Sequence, residues 1–344
     1  MPISVIVGGQ FGSEGKGKVS AHLARELSAS AVIRVGGPNS GHTAIAGDGK
    51  TCVFRQLPAG LVQSEAVCVL PAGSLIDVGI LLEEVERFGL SPETLWIDPR
   101  ASIVTDKHKQ SEGGLAQAIG STASGTGASL TERLSRNGSH LMARDIEALR
   151  PYIRDGLARR LRQMLSANQR VIVEGTQGFG LSVWHSQDYP FATSRDTIAA
   201  SFVAESGLAP HDVDDCVMVL RTFPIRVGGN SGPLPNEIDW ETLAREAELP
   251  TGYHERTSAT GKVRRIGRFE SGIVVDATAA NSPHRIVLNH MDYVDPSWKR
   301  SGPSKLSREF ILQVEREIGR RVNLIGYGPD TLVRRAEIIF SEAA

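Results

Sequence analysis

The chain has 344 residues, of which 40% are apolar and 22% charged, with a formal net charge of −1. That length can bury a core without disulfides or metals, and the near-neutral balance excludes a general nucleic-acid binder. Cys52, Cys68 and Cys216 are scattered and form no CxxC pair, which argues against a disulfide framework or a zinc site.

No stretch approaches the roughly 20 apolar residues of a membrane span. MPISVIV runs into a glycine loop without the basic segment or cleavage site of a signal peptide. The expected compartment is therefore the cytoplasm, with no membrane partner.

In chain order, SVIVGG reads as a strand and Lys16 to Ser28 as a helix, followed by the strands AVIRVGG and VCVLPAG and the helical SLIDVGILLEEVERFG. Residues 107–138, rich in Gly, Ser and Thr, read as an active-site loop system, with a solvated linker as the alternative. From Arg144 to Ala167 the spacing predicts a helix with Leu149, Ile153, Leu157, Leu161 and Met164 on one core-facing side. The strand pattern resumes at RVIVEGTQG, CVMVLRTFPIRVGG, RIVLNHMD and VNLIGYGPD. This alternation predicts an α/β fold: one elaborated domain over residues 1–344, built on a mostly parallel central sheet with P-loop-like nucleotide binding. Ligands in such folds collect at the carboxyl ends of the strands.

Gly12 to Lys18 satisfy GxxxxGK after a strand, the arrangement in which amides and a helix amino terminus face phosphate oxygens. Val19 replaces the usual Ser or Thr, so a structural glycine turn stays open on this segment alone. A second strand end, GGPNSGHTA, places Asn39, His42 and Thr43 on one turn. His254 to Arg268 contains Arg256, Lys262, Arg264, Arg265 and Arg268, which points to a local anionic ligand.

GSEGKGK followed by NSGHT resembles the paired signature of the adenylosuccinate synthetases, GDEGKGK and NAGHT. Further blocks follow in that family's order: IGSTASGTGAS, VEGTQG, YPFATS, RVGGNSGPLP, TGKVRRIGR and YGPD. The resemblance implies a carbon–nitrogen ligase. A γ-phosphoryl group moves to the purine O6, after which the L-aspartate amine attacks C6 and expels phosphate.

The same resemblance implies the site. Lys16 and His42, with position 13, are the catalytic residues, His42 being the general acid. Gly12, Gly15, Gly17, Lys18, Gly41, Thr43, Asn289, Asp292, Gly328 and Pro329 join Lys16 and His42 around the nucleoside triphosphate. Ser13, Asn39, Ser121, Thr122, Gln177, Thr193 and Arg226 hold the acceptor nucleotide, and Arg136 reaches the acceptor of a neighbouring subunit, which implies a homodimer. Thr260, Lys262 and Arg264 clamp aspartate, with Arg264 gripping a carboxylate. Mg²⁺ is the implied cofactor, at Ser13 and the Gly41 carbonyl.

Three departures shift the expected substrate. Ser13 stands where the family has the aspartate that binds metal and takes the N1 proton. Phage enzymes of diaminopurine biosynthesis, which resemble this family and act on dGMP, also have serine there. Lys262 and Val263 replace two arginines, the first of which can touch the ribose 2′-hydroxyl, and RVGGNSG replaces RVGAG. The expected acceptor is dGMP, the donor ATP or dATP, and the setting host cytoplasm if the chain is phage-encoded. NHMD resembles the guanine-reading TKLD, so GTP stays open. The alternatives are an IMP- and GTP-using adenylosuccinate synthetase and a catalytically silent nucleotide-binding paralogue.

Overall fold

Strands rich in Val and Ile supply the frame. In a computed structural model that describes residues 2–257 and 261–338, the nine of them that form the main sheet are labelled as follows. They are β1 Ile3–Gly8, β2 Ala31–Arg34, β3 Val67–Leu70, β4 Leu95–Ile97, β5 Val171–Glu174, β6 Val213–Arg221, β7 Arg285–Asn289, β8 Leu324–Tyr327 and β9 Thr331–Arg334. Their spatial order is β9-β8-β7-β6-β1-β5-β2-β3-β4. All pair in parallel except the edge hairpin β8–β9. The expected mostly parallel α/β sheet is what the chain forms.

Alternation along each strand divides the core between the two faces. Val5 and Val7 pack with Phe202, Leu157 and Leu161, whereas Ile6 packs with Val19, Leu23 and Ala24 of the first helix, α1 Lys16–Glu26. Being buried on both faces, the strands read as continuous apolar runs. A helix α2, Val78–Phe88, is capped by the Asp77 side chain accepting from Ile80 N and ends at Gly89 in the left-handed region.

Two segments differ from expectation. Residues 107–138 are mostly helical: Asp106–Ser111, Leu115–Ala118 and α3, Thr126–Ser135, leave a turn at 112–114 and a loop at 119–125 before α3. The stretch 144–167 is not one helix. Pro151, which lacks an N–H, lies in a 3₁₀ turn, and Gly156 adopts φ 65°, so the helix α4 begins only at Leu157 and runs to Ser166. Leu149 and Ile153 consequently pack into a different core cluster from Leu157 and Leu161.

A small antiparallel sheet joins Ile225–Arg226, Arg265–Gly267 and Glu237–Ile238, which carries the basic run back to the mouth of β6. Among the described residues no helix is long and apolar enough to cross a membrane.

Gly175, just past β5, tests how tightly the central strand ends are packed. A Cβ there would collide with the Phe202 ring and the Ile6 carbonyl oxygen. Gly175→Ala is expected to cost about 2 kcal/mol of unfolding free energy in urea titration, as overpacking does; an unchanged midpoint would show that the strand ends can shift apart.

Candidate active site

The β1–α1 connection is shaped from within by Glu14. Its carboxylate, fully buried, accepts from Gln10 N at 3.2 Å, Gly12 N at 2.8 Å and Lys16 Nζ at 2.7 Å. Gly12, Ser13 and Gly15 take positive φ values of 90°, 57° and 96° to carry the chain around it. The first turn of α1 has no side-chain cap. Its amides are therefore available to an anion, as a phosphate site requires.

α3 provides a contrast, because Glu112 fills the same role there: its carboxylate accepts from Gly125 N, Gly127 N and Ala128 N at 2.7–3.0 Å. The start of α3 lies at the same end of the sheet, where Thr126 abuts Gly37 just past β2, but three of its amides are already taken by Glu112.

A second buried carboxylate organises the other strand ends. Glu174, at the end of β5, accepts from Ala59 N at 2.9 Å, Gly60 N at 3.3 Å, Arg34 Nη1 at 3.0 Å and His42 Nδ1 at 2.6 Å. Arg34 also donates to Ser40 Oγ at 3.0 Å, and Ser40 meets Thr176 Oγ1 at 2.6 Å. Arg34 Nη1 lies against His42 Nδ1 as well. Because the ionised Glu174 carboxylate can only accept, we assign the Nδ1 proton to the Glu174 bond, which leaves the other ring nitrogen, Nε2, unprotonated in the neutral ring.

Electrostatics follow from this packing. Burial, and then the adjacent Arg34 guanidinium, push the His42 imidazole down to about 3, despite the opposing Glu174. Burial alone would raise the Glu174 carboxyl, but His42 and Arg34 outweigh it and hold it at about 2. A neutral imidazole thus rests on an ionised carboxylate.

The residues expected at the acceptor come together in part. Asn39, Ser40 and Gly41 lead into His42, and Gln177, at φ 55°, packs over the glycine loop, its carbonyl accepting from Lys16. Its amide oxygen is buried with no protein partner among the described residues. Thr122 accepts from Ser124 Oγ at 2.9 Å and Ser121 from Ala123 N at 3.1 Å. Their turn abuts Ser231 and Asn230, so the GGNSG insertion flanks it. Thr193 is anchored by its amide to the Leu181 carbonyl at 2.7 Å.

Arg226 is committed to the protein: it pairs with Asp188 at 2.6 Å, donates to the Ser231 carbonyl and lies 4.2 Å over the Phe11 ring. Arg136 is exposed at the far end of α3 from Ser121 and Thr122.

The donor set divides likewise. Asn289 is buried and donates to the Glu14 carbonyl at 2.7 Å, so it pins the phosphate loop rather than facing outward. Lys18 donates to Gly328 O at 3.1 Å and Thr331 O at 3.3 Å, and burial lowers its amine to about 8 although Asp292 and Asp330 oppose this. Asp292 pairs with Lys299 at 2.9 Å, and Pro329 is exposed on the β8–β9 turn. Gly17 packs directly against Thr43 and His42.

In the basic loop, Thr260 lies outside the described residues, and Lys262 is exposed. Arg264 Nη1 meets Glu255 Oε2 at 2.5 Å. Glu255 also binds Arg221, a fully buried arginine at the end of β6 that reaches the Ser13 carbonyl at 3.2 Å. Burial opposes ionisation of Glu255, but Arg221 and Arg264 hold its carboxyl well below the usual range.

Glu14, Arg34, Glu112, Glu174, Arg221 and Glu255 were not selected from sequence. Arg34, Glu174 and Arg221 share a signal: each is a charged residue closing an apolar strand.

The donor set for Mg²⁺ is modest. Ser13 offers a hydroxyl and Gly41 a carbonyl, while Glu14 is turned inward, and no group of three His, Cys, Asp or Glu among the described residues suits a metal. Such donors fit an ion carried mainly by nucleotide phosphates and water.

The His42 shift predicts acid sensitivity. Because the folded pKa lies below the ordinary value of 6.5, this stability is complete above pH 6.5 and drains away as pH falls from there towards 3, by about 1 kcal/mol per pH unit. Urea unfolding at pH 7.5 and 5.5 should show that loss, and His42→Asn should remove it. Equal slopes for the two proteins would place the titration elsewhere.

The model of the adenylosuccinate synthetase family matches residues 5–145 and 141–298. The adenylosuccinate synthetase of Methanocaldococcus jannaschii is 37% identical over 338 residues, 95% of this chain and 94% of that one. That of Pyrococcus horikoshii is 35% identical over 341 residues, covering 96% and 97%. Among solved structures, the succinoaminodeoxyadenylate synthetase of cyanophage S-2L, bound to dGMP and to dATP as an energy donor, superposes with a TM-score of 0.82 at 29% identity, covering 97% of this chain and 95% of that one. The Plasmodium falciparum adenylosuccinate synthetase reaches 0.82 at 20% identity over 97% and 100%, a likeness of fold. The chain belongs to the adenylosuccinate synthetase family of carbon–nitrogen ligases.

Proposed function

We propose that this ligase joins L-aspartate to C6 of dGMP, using ATP or dATP, and releases N6-succino-2-amino-2′-deoxyadenylate, nucleoside diphosphate and phosphate. Ser13 supports this assignment most directly. The loop that meets the acceptor has one carboxylate, Glu14, and it is buried and bonded to the loop's own amides and Lys16. Position 13 is exposed and uncharged, which leaves room beside N1 for a 2-amino group. The buried amide oxygen of Gln177 offers an acceptor for a purine N–H.

The donor reading draws on Asp292. Asp292, the carboxylate that would accept from guanine N1 and N2, is already paired with Lys299 at 2.9 Å, which competes with a guanine for that role. The dGMP and dATP in the cyanophage relative agree with this reading. The rival is an adenylosuccinate synthetase using IMP and GTP, favoured by the higher identity to the archaeal enzymes.

Lys16, the uncapped amides of α1 and Lys18 would bind the phosphates, with Mg²⁺ adding charge neutralisation when bound, through Ser13 and Gly41. Incoming phosphate offsets Arg34 and Lys16, so it raises the His42 pKa from its low value towards the range where the imidazole can donate a proton at O6. Exposed at the far end of α3, Arg136 would serve the site of a second subunit in a homodimer.

Incubation with L-aspartate and Mg²⁺, pairing dGMP, GMP or IMP with ATP, dATP or GTP, tests the assignment by phosphate and succino-product release. Turnover is expected chiefly with dGMP and ATP or dATP; turnover confined to IMP and GTP would establish the rival. Ser13→Asp should move the acceptor preference towards IMP by about tenfold, and an unaltered preference would remove Ser13 as the selector.

Glu174→Gln should lower kcat about a hundredfold, with nucleotide KM values little changed, because it replaces the charged acceptor that orients His42 with a neutral amide. A change in KM alone would assign Glu174 to binding.

A further inference from the structure

Arg264, the arginine read as the clamp for the amino-acid carboxylate, already holds a carboxylate. Glu255 Oε2 accepts from Arg264 Nη1 at 2.5 Å and from Arg221 Nη1 at 3.3 Å. Glu255 Oε1 accepts from Arg221 Nη2 at 2.7 Å and from the Tyr293 hydroxyl at 2.8 Å. The backbone adds a tie, Arg264 N donating to Glu255 O at 2.9 Å.

The two arginines stand in different positions. Arg221 is fully buried and reaches the Ser13 carbonyl, so it needs a permanent counter-charge. Arg264 is partly exposed, touches Glu255 through one nitrogen, and has a buried Nε with no partner among the described residues. A guanidinium grips a free carboxylate best through two parallel N–H donors, and Glu255 uses only one of them.

We propose that Glu255 is an internal occupant of the aspartate site, holding Arg264 until L-aspartate displaces it and remaining on Arg221 afterwards. The proposal rests on Arg264 being the aspartate clamp. An incoming carboxylate that engages two of the Arg264 N–H donors improves on the single-nitrogen pair with Glu255 and can therefore replace it. Glu255 acts through Arg264 and is a positioning residue, setting the threshold at which the amino acid enters.

Steady-state kinetics on the full chain decide this. Glu255→Gln keeps an oxygen for Arg221 but loses the charge that competes with substrate. The KM for L-aspartate should fall about tenfold, the scale of one charge-assisted hydrogen bond. The inhibition constant of succinate, a dicarboxylate without the amine, should fall in parallel while nucleotide KM values stay near the parent's. An aspartate KM that is unchanged or higher overturns the proposal, since a merely structural glutamate would only loosen the site on removal.

Should Glu255→Gln not fold, Glu255→Asp retains the counter-charge of Arg221 with a shorter reach, and the same fall is expected. Arg264→Ala separates the two levels. If it leaves the aspartate KM untouched, the clamp reading fails and takes the proposal with it. If it raises that KM about a hundredfold while both Glu255 variants match the parent, only the role of Glu255 fails.

Discussion

The buried carboxylate of Glu174 is the interaction on which the catalytic end of the sheet depends. An ionised group out of water costs several kcal/mol unless its oxygens are fully matched. Here they are, by Arg34 from β2, His42 from the following hairpin and the amides of Ala59 and Gly60. One side chain thereby fixes segments that are up to 140 residues apart in sequence. Removing a partner would leave a charge uncompensated, so the arrangement is all-or-none. That property keeps the His42 ring in one orientation.

The same device recurs around the site. Glu14 holds the glycine loop and Lys16, Glu112 occupies the start of α3, and Glu255 holds Arg221 and Arg264. At these places internal carboxylates stand in for anions where backbone amides or guanidinium groups converge. The amides at the start of α1 lack such an occupant, and there the phosphate signature lies. On the proposed reading, the protein divides its anion-binding places into those it satisfies itself and the α1 amides, which it leaves to substrate.

This sorting explains what the sequence disclosed and what it withheld. Strands and the glycine loop were legible because each depends on a short run: apolar residues ending in Gly, or glycines where φ is positive. The long helix expected over 144–167 failed at Pro151 and Gly156, two residues whose backbone preferences outweigh apolar spacing. Asn289 matched a nucleotide-reading pattern, yet its amide serves Glu14. Glu174 and Arg221 escaped notice because they join segments remote in sequence, and no local pattern encodes such a pairing. Still, a charged residue closing an apolar strand is costly unless it is used, and that much was visible in AVIR, VIVE and VMVLR.

Ser13 alters the charge balance of the site as well as its shape. Lys16, Lys18, Arg34, Arg221 and Arg264 outnumber the carboxylates Glu14, Glu174 and Glu255, so these groups carry a positive excess before any substrate binds. An aspartate at position 13 would reduce that excess while serving as a base. With serine, the positive field remains, and a purine N1–H held in it is a stronger acid than in water, because the anion left after proton loss is stabilised. On the proposed reading, the weaker base at position 13 and the stronger acid opposite it are two results of one substitution. Losing the carboxylate is then compatible with turnover, and the space it vacates is what distinguishes a 2-amino purine from one without.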